Sequence, residues 1–160
     1  MSENIRYQVR ILRLPHTADI AVDIPIPAYE LPHEAGLDLL ASVPANSPVI
    51  IAPGGRAAIP TGLVFALPPG IEGQIRARSG LALHFGVTVL NSPGTLDADY
   101  RGEVYVILAN FGKDPFAVER GAKIALLVFA LVVQASIVEV DGLDETTRGA
   151  RGFGSTGTGL

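Results

Sequence analysis

Turn formers recur so often along this chain that a long helix has no room to form. Pro25, Pro27 and Pro32 are followed by Pro53-Gly54-Gly55, Pro68-Pro69-Gly70, Asn91-Ser92-Pro93-Gly94 and Gly112-Lys113-Asp114-Pro115. Proline fixes φ and removes a backbone donor, and glycine permits the positive φ of tight turns, so each cluster punctuates the regular structure around it. The stretches between them are short, apolar and rich in β-branched residues, which is the signature of strands. The pattern predicts an all-β domain of jelly-roll or barrel type with at most one short helix.

Tyr7 to Leu14 alternates in and out as a first strand, and Pro15 to Pro32 reads as an extended segment along a sheet edge. Further strands are expected at Glu34–Ala41, Ser47–Ile51, Arg56–Pro60, Thr61–Leu67, Gly73–Arg78, Val87–Leu90, Glu103–Asn110, Lys123–Val133 and Gln134–Val140. Ile124 to Val133 is nearly all apolar and should be buried on both faces. The one short helix is expected at Ser79–Leu83, with Arg78 and Ser79 at its N-terminus, where free amides favour an anion. A capping serine beside a surface arginine is the plainer alternative. Residues 1–143 form the barrel domain. Residues 144–160 are a glycine-rich arm without a core, expected to stay mobile until something orders it.

Composition excludes several function classes. Net charge is −4, and no basic run offers itself to a nucleic-acid backbone. The absence of cysteine removes disulfides and thiolate metal sites, and three scattered histidines give a zinc site little support. The N-terminus lacks an apolar signal core, and Ile124–Val133 is too short to cross a bilayer, so a soluble, cytoplasmic protein is expected. With 48% hydrophobic and only 18% charged residues, the chain is expected to hide apolar surface between subunits.

The chemistry-bearing stretch is Leu90 to Tyr105. It reads as a hairpin connection that carries Asp97, Asp99, Tyr100 and Arg101. A carboxylate beside an aromatic ring can activate water while the ring packs on a planar or sugar-like ligand. A solvated acidic turn with an aromatic plug fits the same residues. Asp38, embedded among apolar neighbours, needs a partner, either as a strand-edge acid or as an acid facing a shared cleft. In the arm, Arg148, Phe153, Ser155 and Thr156 alternate with glycines. That suggests a phosphate-cradling loop without the lysine of a Walker motif, or a plain flexible tail.

Taken in order, five pieces resemble the motifs of the trimeric deoxyuridine triphosphatases (dUTPases). They are Ala35-Gly36-Leu37-Asp38-Leu39, Arg78-Ser79-Gly80-Leu81-Ala82, Asn91 through Gly102, Glu119 through Ala125, and Arg148-Gly149 through Gly157. The resemblance implies a distorted β-barrel jelly roll that assembles as a threefold trimer with active sites shared between subunits, hydrolysing dUTP to dUMP and pyrophosphate with Mg²⁺. Such an activity lowers dUTP and supplies dUMP for thymidylate synthesis. It implies that Asp97 is the general base, and that Tyr100 lies under the deoxyribose where a 2′-hydroxyl would not fit. Asn91, with Gly94, Thr95 and Leu96 behind it, would read the uracil edge. Arg78, Ser79 and Gly80 would hold phosphates, and Asp38 would reach the metal through its waters. In the arm, Arg148 would meet the γ-phosphate, Phe153 would cover the base, and Gly154, Ser155 and Thr156 would add phosphate contacts. The chain departs from the pattern at Leu126 (usually Gln), Leu131 (usually Pro) and Arg151 (usually Gly). Arg151 is expected either to occupy a position that needs a left-handed backbone or to add a charge facing the triphosphate. The related dCTP deaminases would carry a second serine at Gly80. A nucleotide-binding trimer with little turnover is the reading from a different class.

Overall fold

The computed structural model describes residues 7–14, 24–153 and 157. In chain order the strands are β1 Arg10–Arg13, β2 Leu37–Leu40, β3 Val49–Ile51, β4 Arg56–Pro60, β5 Leu63–Ala66 and β6 Ile71–Arg76. The helix α1 Ser79–Phe85 follows, then β7 Val87–Val89, β8 Gly94–Leu96, β9 Tyr105–Asn110, β10 Phe116–Val118 and β11 Lys123–Leu131. They pair antiparallel into two larger sheets, ordered β2-β11-β6-β8 and β4-β9-β7, and two strand pairs, β1-β5 and β3-β10.

Alternation decides which side chains face inward. On β6, Ile71, Gly73 and Ile75 are buried while Arg76 is exposed; on β2, Leu37 and Leu39 are buried and Asp38 is turned outward, half-buried. Phe65, Leu39, Ile51, Ile59, Leu108, Ile124 and Leu127 are the largest fully buried side chains and make one continuous core. Buried Asn110 is satisfied on both sides of its amide. Its Nδ2 donates to the Ile51 and Asp114 carbonyls at 2.9 Å, and its Oδ1 accepts from the Gly112 N–H at 2.8 Å. That one side chain ties β9 to β3 and closes the 110–114 turn. Unmade, such buried bonds would cost about 1–3 kcal/mol each.

Four expectations change. The connection between β7 and β9 is not a simple hairpin loop: Gly94–Leu96 leaves it to pair with β6 as β8. The helix runs on to Phe85 and stops where Gly86 takes φ 67° as a left-handed cap. Arg78, not Ser79, is its N-cap, without a side-chain capping bond. At the other end, β11 outruns its partner. Leu131 pairs with Ile71, the first residue of β6, and the Val132 N–H makes a last bond to the Gly70 carbonyl. Beyond that neither neighbour of β11 extends to pair with it; Gln134–Val140 is not a strand, and Leu131 and Val133 are 72% and 91% exposed rather than buried.

Candidate active site

The β7–β9 connection supplies the first group of functional side chains. Asn91, Gly94, Thr95, Leu96, Asp97 and Tyr100 together line a pocket of about 290 Å³, backed by Ile75 of β6 and by Glu103 and Tyr105. Pairing of β8 with β6 fixes its floor. A Cβ on Gly94 would stand 3.0 Å from Asn91 Nδ2, so the missing side chain lets the Asn91 amide lie against the strand. Asp97 leaves the end of β8 exposed to solvent, and the Tyr100 N–H bonds back to its carbonyl at 3.2 Å. The Tyr100 hydroxyl donates to the Glu103 carbonyl at 3.0 Å, which folds the ring down over Gly102. Arg101 braces the same turn, donating at 2.7 Å to the Ala98 and Tyr100 carbonyls. The Tyr105 hydroxyl is hydrogen-bonded to the Glu103 side chain, and that bond and the carboxylate's charge hold the phenol above its ordinary value of 10.0.

The second group surrounds Asp38. The sheet order β2-β11-β6 places Asp38, Leu126 and Arg76 in one cross-strand row. Asp38 is only 19% exposed at its side chain; its Oδ2 lies 2.8 Å from Lys123 Nζ and its Oδ1 lies 3.1 Å from Arg78 Nε. Oδ1 is buried and Arg78 is not aimed at it as a hydrogen-bond donor, so this oxygen keeps an unused acceptor position beside a favourable charge. Arg78 Nη1 instead donates to the Lys123 carbonyl at 3.0 Å. Ser79 and Gly80 begin α1, and the N–H groups of a helix's first turn have no partner within the helix. Lys123 also pairs with Glu30. Both carboxylates stabilise its ammonium and raise its pKa above 10.5, Asp38 acting most strongly. Among the described residues no three His, Cys, Asp or Glu side chains cluster as metal ligands.

The arm stands otherwise. Arg148 Nε donates to the Arg151 carbonyl at 3.1 Å, Arg151 Nε donates to the Arg148 carbonyl at 3.0 Å, and Arg151 also reaches the Thr147 carbonyl. These side chains bond within their own turn, and Phe153 is fully exposed. Gly154, Ser155 and Thr156 lie outside the described residues. The left-handed backbone expected at Arg151 is not found. Among described residues other than glycine only His33 has positive φ, at 73°; it is Gly149, at 54°, that bends the turn.

Sequence reasoning passed over Glu30, Lys123, Glu103 and Tyr105. Lys123 carried a faint signal, as a cation opening an otherwise apolar strand. Glu103 had none: its carboxylate accepts from the Gly62 N–H at 2.8 Å, a contact made only when distant segments meet. No helix among the described residues is long and apolar enough to cross a membrane.

Comparison with known proteins bears on what these groups do. The dUTPase family model matches residues 22–157. A deoxyuridine 5′-triphosphate nucleotidohydrolase of Methylocella silvestris is 57% identical over 149 residues, covering 93% of this chain and 91% of the relative. One from Mesorhizobium japonicum is 55% identical over 150 residues, covering 94% and 91%. Among solved structures, a Staphylococcus bacteriophage 80alpha dUTPase with dUPNHPP superposes with a TM-score of 0.80 at 20% identity, covering 94% of this chain and 98% of the phage chain. A dUTPase variant from phage phi11 of S. aureus, described with a structural Mg(II) ion, gives 0.72 at 17% identity, covering 84% and 97%. The structural likeness carries the all-β fold, and the family match together with the close relatives carries membership: the chain belongs to the dUTPase family.

Proposed function

We propose that the protein hydrolyses dUTP to dUMP and pyrophosphate. The observation that carries this reading is the single pocket shared by Asn91, Gly94–Asp97 and Tyr100, in a chain of this family. Asn91 and the β8 backbone offer donors and acceptors to a pyrimidine edge. The Tyr100 ring walls the sugar and leaves an added 2′-hydroxyl crowded and unpaired. Asp97 takes a proton from the water that attacks the α-phosphorus, and the bond to the bridging oxygen breaks to release pyrophosphate. Arg78, with Ser79 and Gly80 at the start of α1, offsets the charge of the phosphate oxygens.

Mg²⁺ fits the Asp38 group. The buried Oδ1 with its unused acceptor position is suited to a metal-bound water, and with no carboxylate cluster among the described residues, phosphate oxygens and waters would supply the other ligands. Bound with the triphosphate, the ion would offset its negative charge. Asp38 would hold the ion through its waters, and Arg78 would meet the phosphates.

Residues 144–160 act as an arm that closes over bound nucleotide, Arg148 and residues 154–156 meeting phosphates and Phe153 covering the base. Val133, Ile137, Val138, Val140 and Leu143 are all exposed in the single chain. This exposed apolar run supports a homotrimer with shared sites, in which another copy covers it; the trimer works in the cytoplasm. The test is purified protein with dUTP and Mg²⁺, followed for pyrophosphate and dUMP, with light scattering on the same sample. Absence of pyrophosphate release sinks the hydrolase reading, and an active monomer sinks the shared site.

A further inference from the structure

Two cations and two acids meet at the phosphate side of the site, so its resting charge is balanced: Arg78 and Lys123 against Asp38 and Glu30. The two acids are not equivalent. Asp38 is fixed on β2 and 19% exposed, whereas the Glu30 side chain is 62% exposed on a turn. That turn is specifically built. The Glu34 carboxylate accepts from the Glu30 N–H at 2.8 Å and from the Leu31 N–H at 3.1 Å, and His33 takes a left-handed φ of 73°. The result is a carboxylate delivered to the Lys123 ammonium from outside the barrel strands.

We infer that Glu30 is a resident anion that occupies Lys123 in the free protein and is displaced when a polyphosphate binds. This rests on the reading that the Arg78–Asp38–Lys123 group faces phosphates. Of the two partners of Lys123, the more solvated one is the one that can leave. An exposed ion pair contributes little, so releasing it costs a highly charged ligand a small fraction of its binding energy. The cost is the same for every anion that takes Lys123 from Glu30, so Glu30 weakens triphosphate and the pyrophosphate product by a similar factor and speeds product release. Removing its charge leaves a net cationic site that holds anions more tightly.

The experiment is calorimetric binding of inorganic tripolyphosphate, pyrophosphate and the dUTP analogue dUpNHpp to the parent, Glu30→Gln, Lys123→Met and the double variant. Glu30→Gln should tighten tripolyphosphate and pyrophosphate about threefold, the scale of an exposed ion pair, and pyrophosphate should become the stronger product inhibitor by a similar factor. In the Lys123→Met background the same substitution should have no such effect, because the coupling between the two residues is then gone. A merely structural Glu30 would give the opposite sign: a lower melting temperature and weaker binding. Unchanged or weaker binding in Glu30→Gln, or tightening that survives Lys123→Met, overturns the inference. If the parent binds tripolyphosphate but neither binds dUpNHpp nor cleaves dUTP, the dUTP reading falls while the inference stands or falls on tripolyphosphate alone. A parent that binds none of the three overturns both.

Discussion

Replacing Gly102 by alanine would test whether the Tyr100 ring, rather than the loop as a whole, sets the choice of sugar. A Cβ on Gly102 would overlap the Tyr100 phenol at Oη and Cζ, the atoms that fold down to reach the Glu103 carbonyl. Gly102 does not have a positive φ, so alanine fits its backbone and the substitution acts through packing. Inserting a methyl group into a packed contact typically costs about 1–3 kcal/mol. Because Tyr100 is 45% exposed, its ring has somewhere to go and the lower end applies. Adding an exposed hydrogen bond of about 0.5 kcal/mol gives roughly 1.5 kcal/mol in all. A domain of this size then loses about 3–6 °C in melting temperature. The displaced ring no longer walls the sugar, and discrimination between dUTP and UTP, measured as the ratio of kcat/KM values, should fall about tenfold. In a Tyr100→Ala background Gly102→Ala should add nothing, since the group it collides with is absent. Unchanged discrimination in the single variant, or a second tenfold loss in the double, would refute the packing argument.

Asp97→Asn keeps the shape of the pocket and removes the proton acceptor, so turnover should fall at least ~10²-fold with dUpNHpp binding nearly intact; near-parental hydrolysis would take the base role from Asp97. Truncation before Arg148 should leave a folded barrel, whose strands end at Leu131, with severely reduced turnover. Full activity in the truncated protein would remove the arm from the mechanism. On the alkaline side, Tyr105 and Lys123 have raised pKa values in the folded state. Their contribution to stability is complete below the ordinary values of 10.0 and 10.5 and is lost as pH rises through the folded values. Melting temperature should therefore not fall on their account between pH 7 and 9 and should decline above about 10; a decline at pH 8 abolished by Tyr105→Phe would contradict this.

The parts of the site that were readable in the sequence are those made by one local stretch. Asn91-Ser92-Pro93-Gly94 had to turn, and Val104 to Leu108 had to be a strand, so Asp97 and Tyr100 had to sit between them. Gly94–Leu96 escaped notice because three residues are too few to show a period of two, and only the partner strand β6 makes them β8. Helix α1 was read short for a related reason. Its end is set by the left-handed Gly86, while Leu83 and Phe85 are exposed and reveal no buried face. The need of Asp38 for a partner was visible from its apolar neighbours, but the identity of that partner was not. Lys123 comes from β11 and Arg78 is the N-cap just before α1, and no rule of spacing along the chain predicts that β11 pairs on one edge with β2 and on the other with β6. The same pairing explains why Leu126 is compatible with the fold at the position where the resemblance led to an expected glutamine. It is half-buried in the row between Asp38 and Arg76, and its place in the ladder depends on its backbone. A polar side chain there would add a donor beside the Asp38 carboxylate, and Lys123 already supplies a cationic one. The chemistry at this end of the site therefore turns on how many positive charges Lys123 and Arg78 can offer once Glu30 has left, a quantity determined by pairing between distant segments.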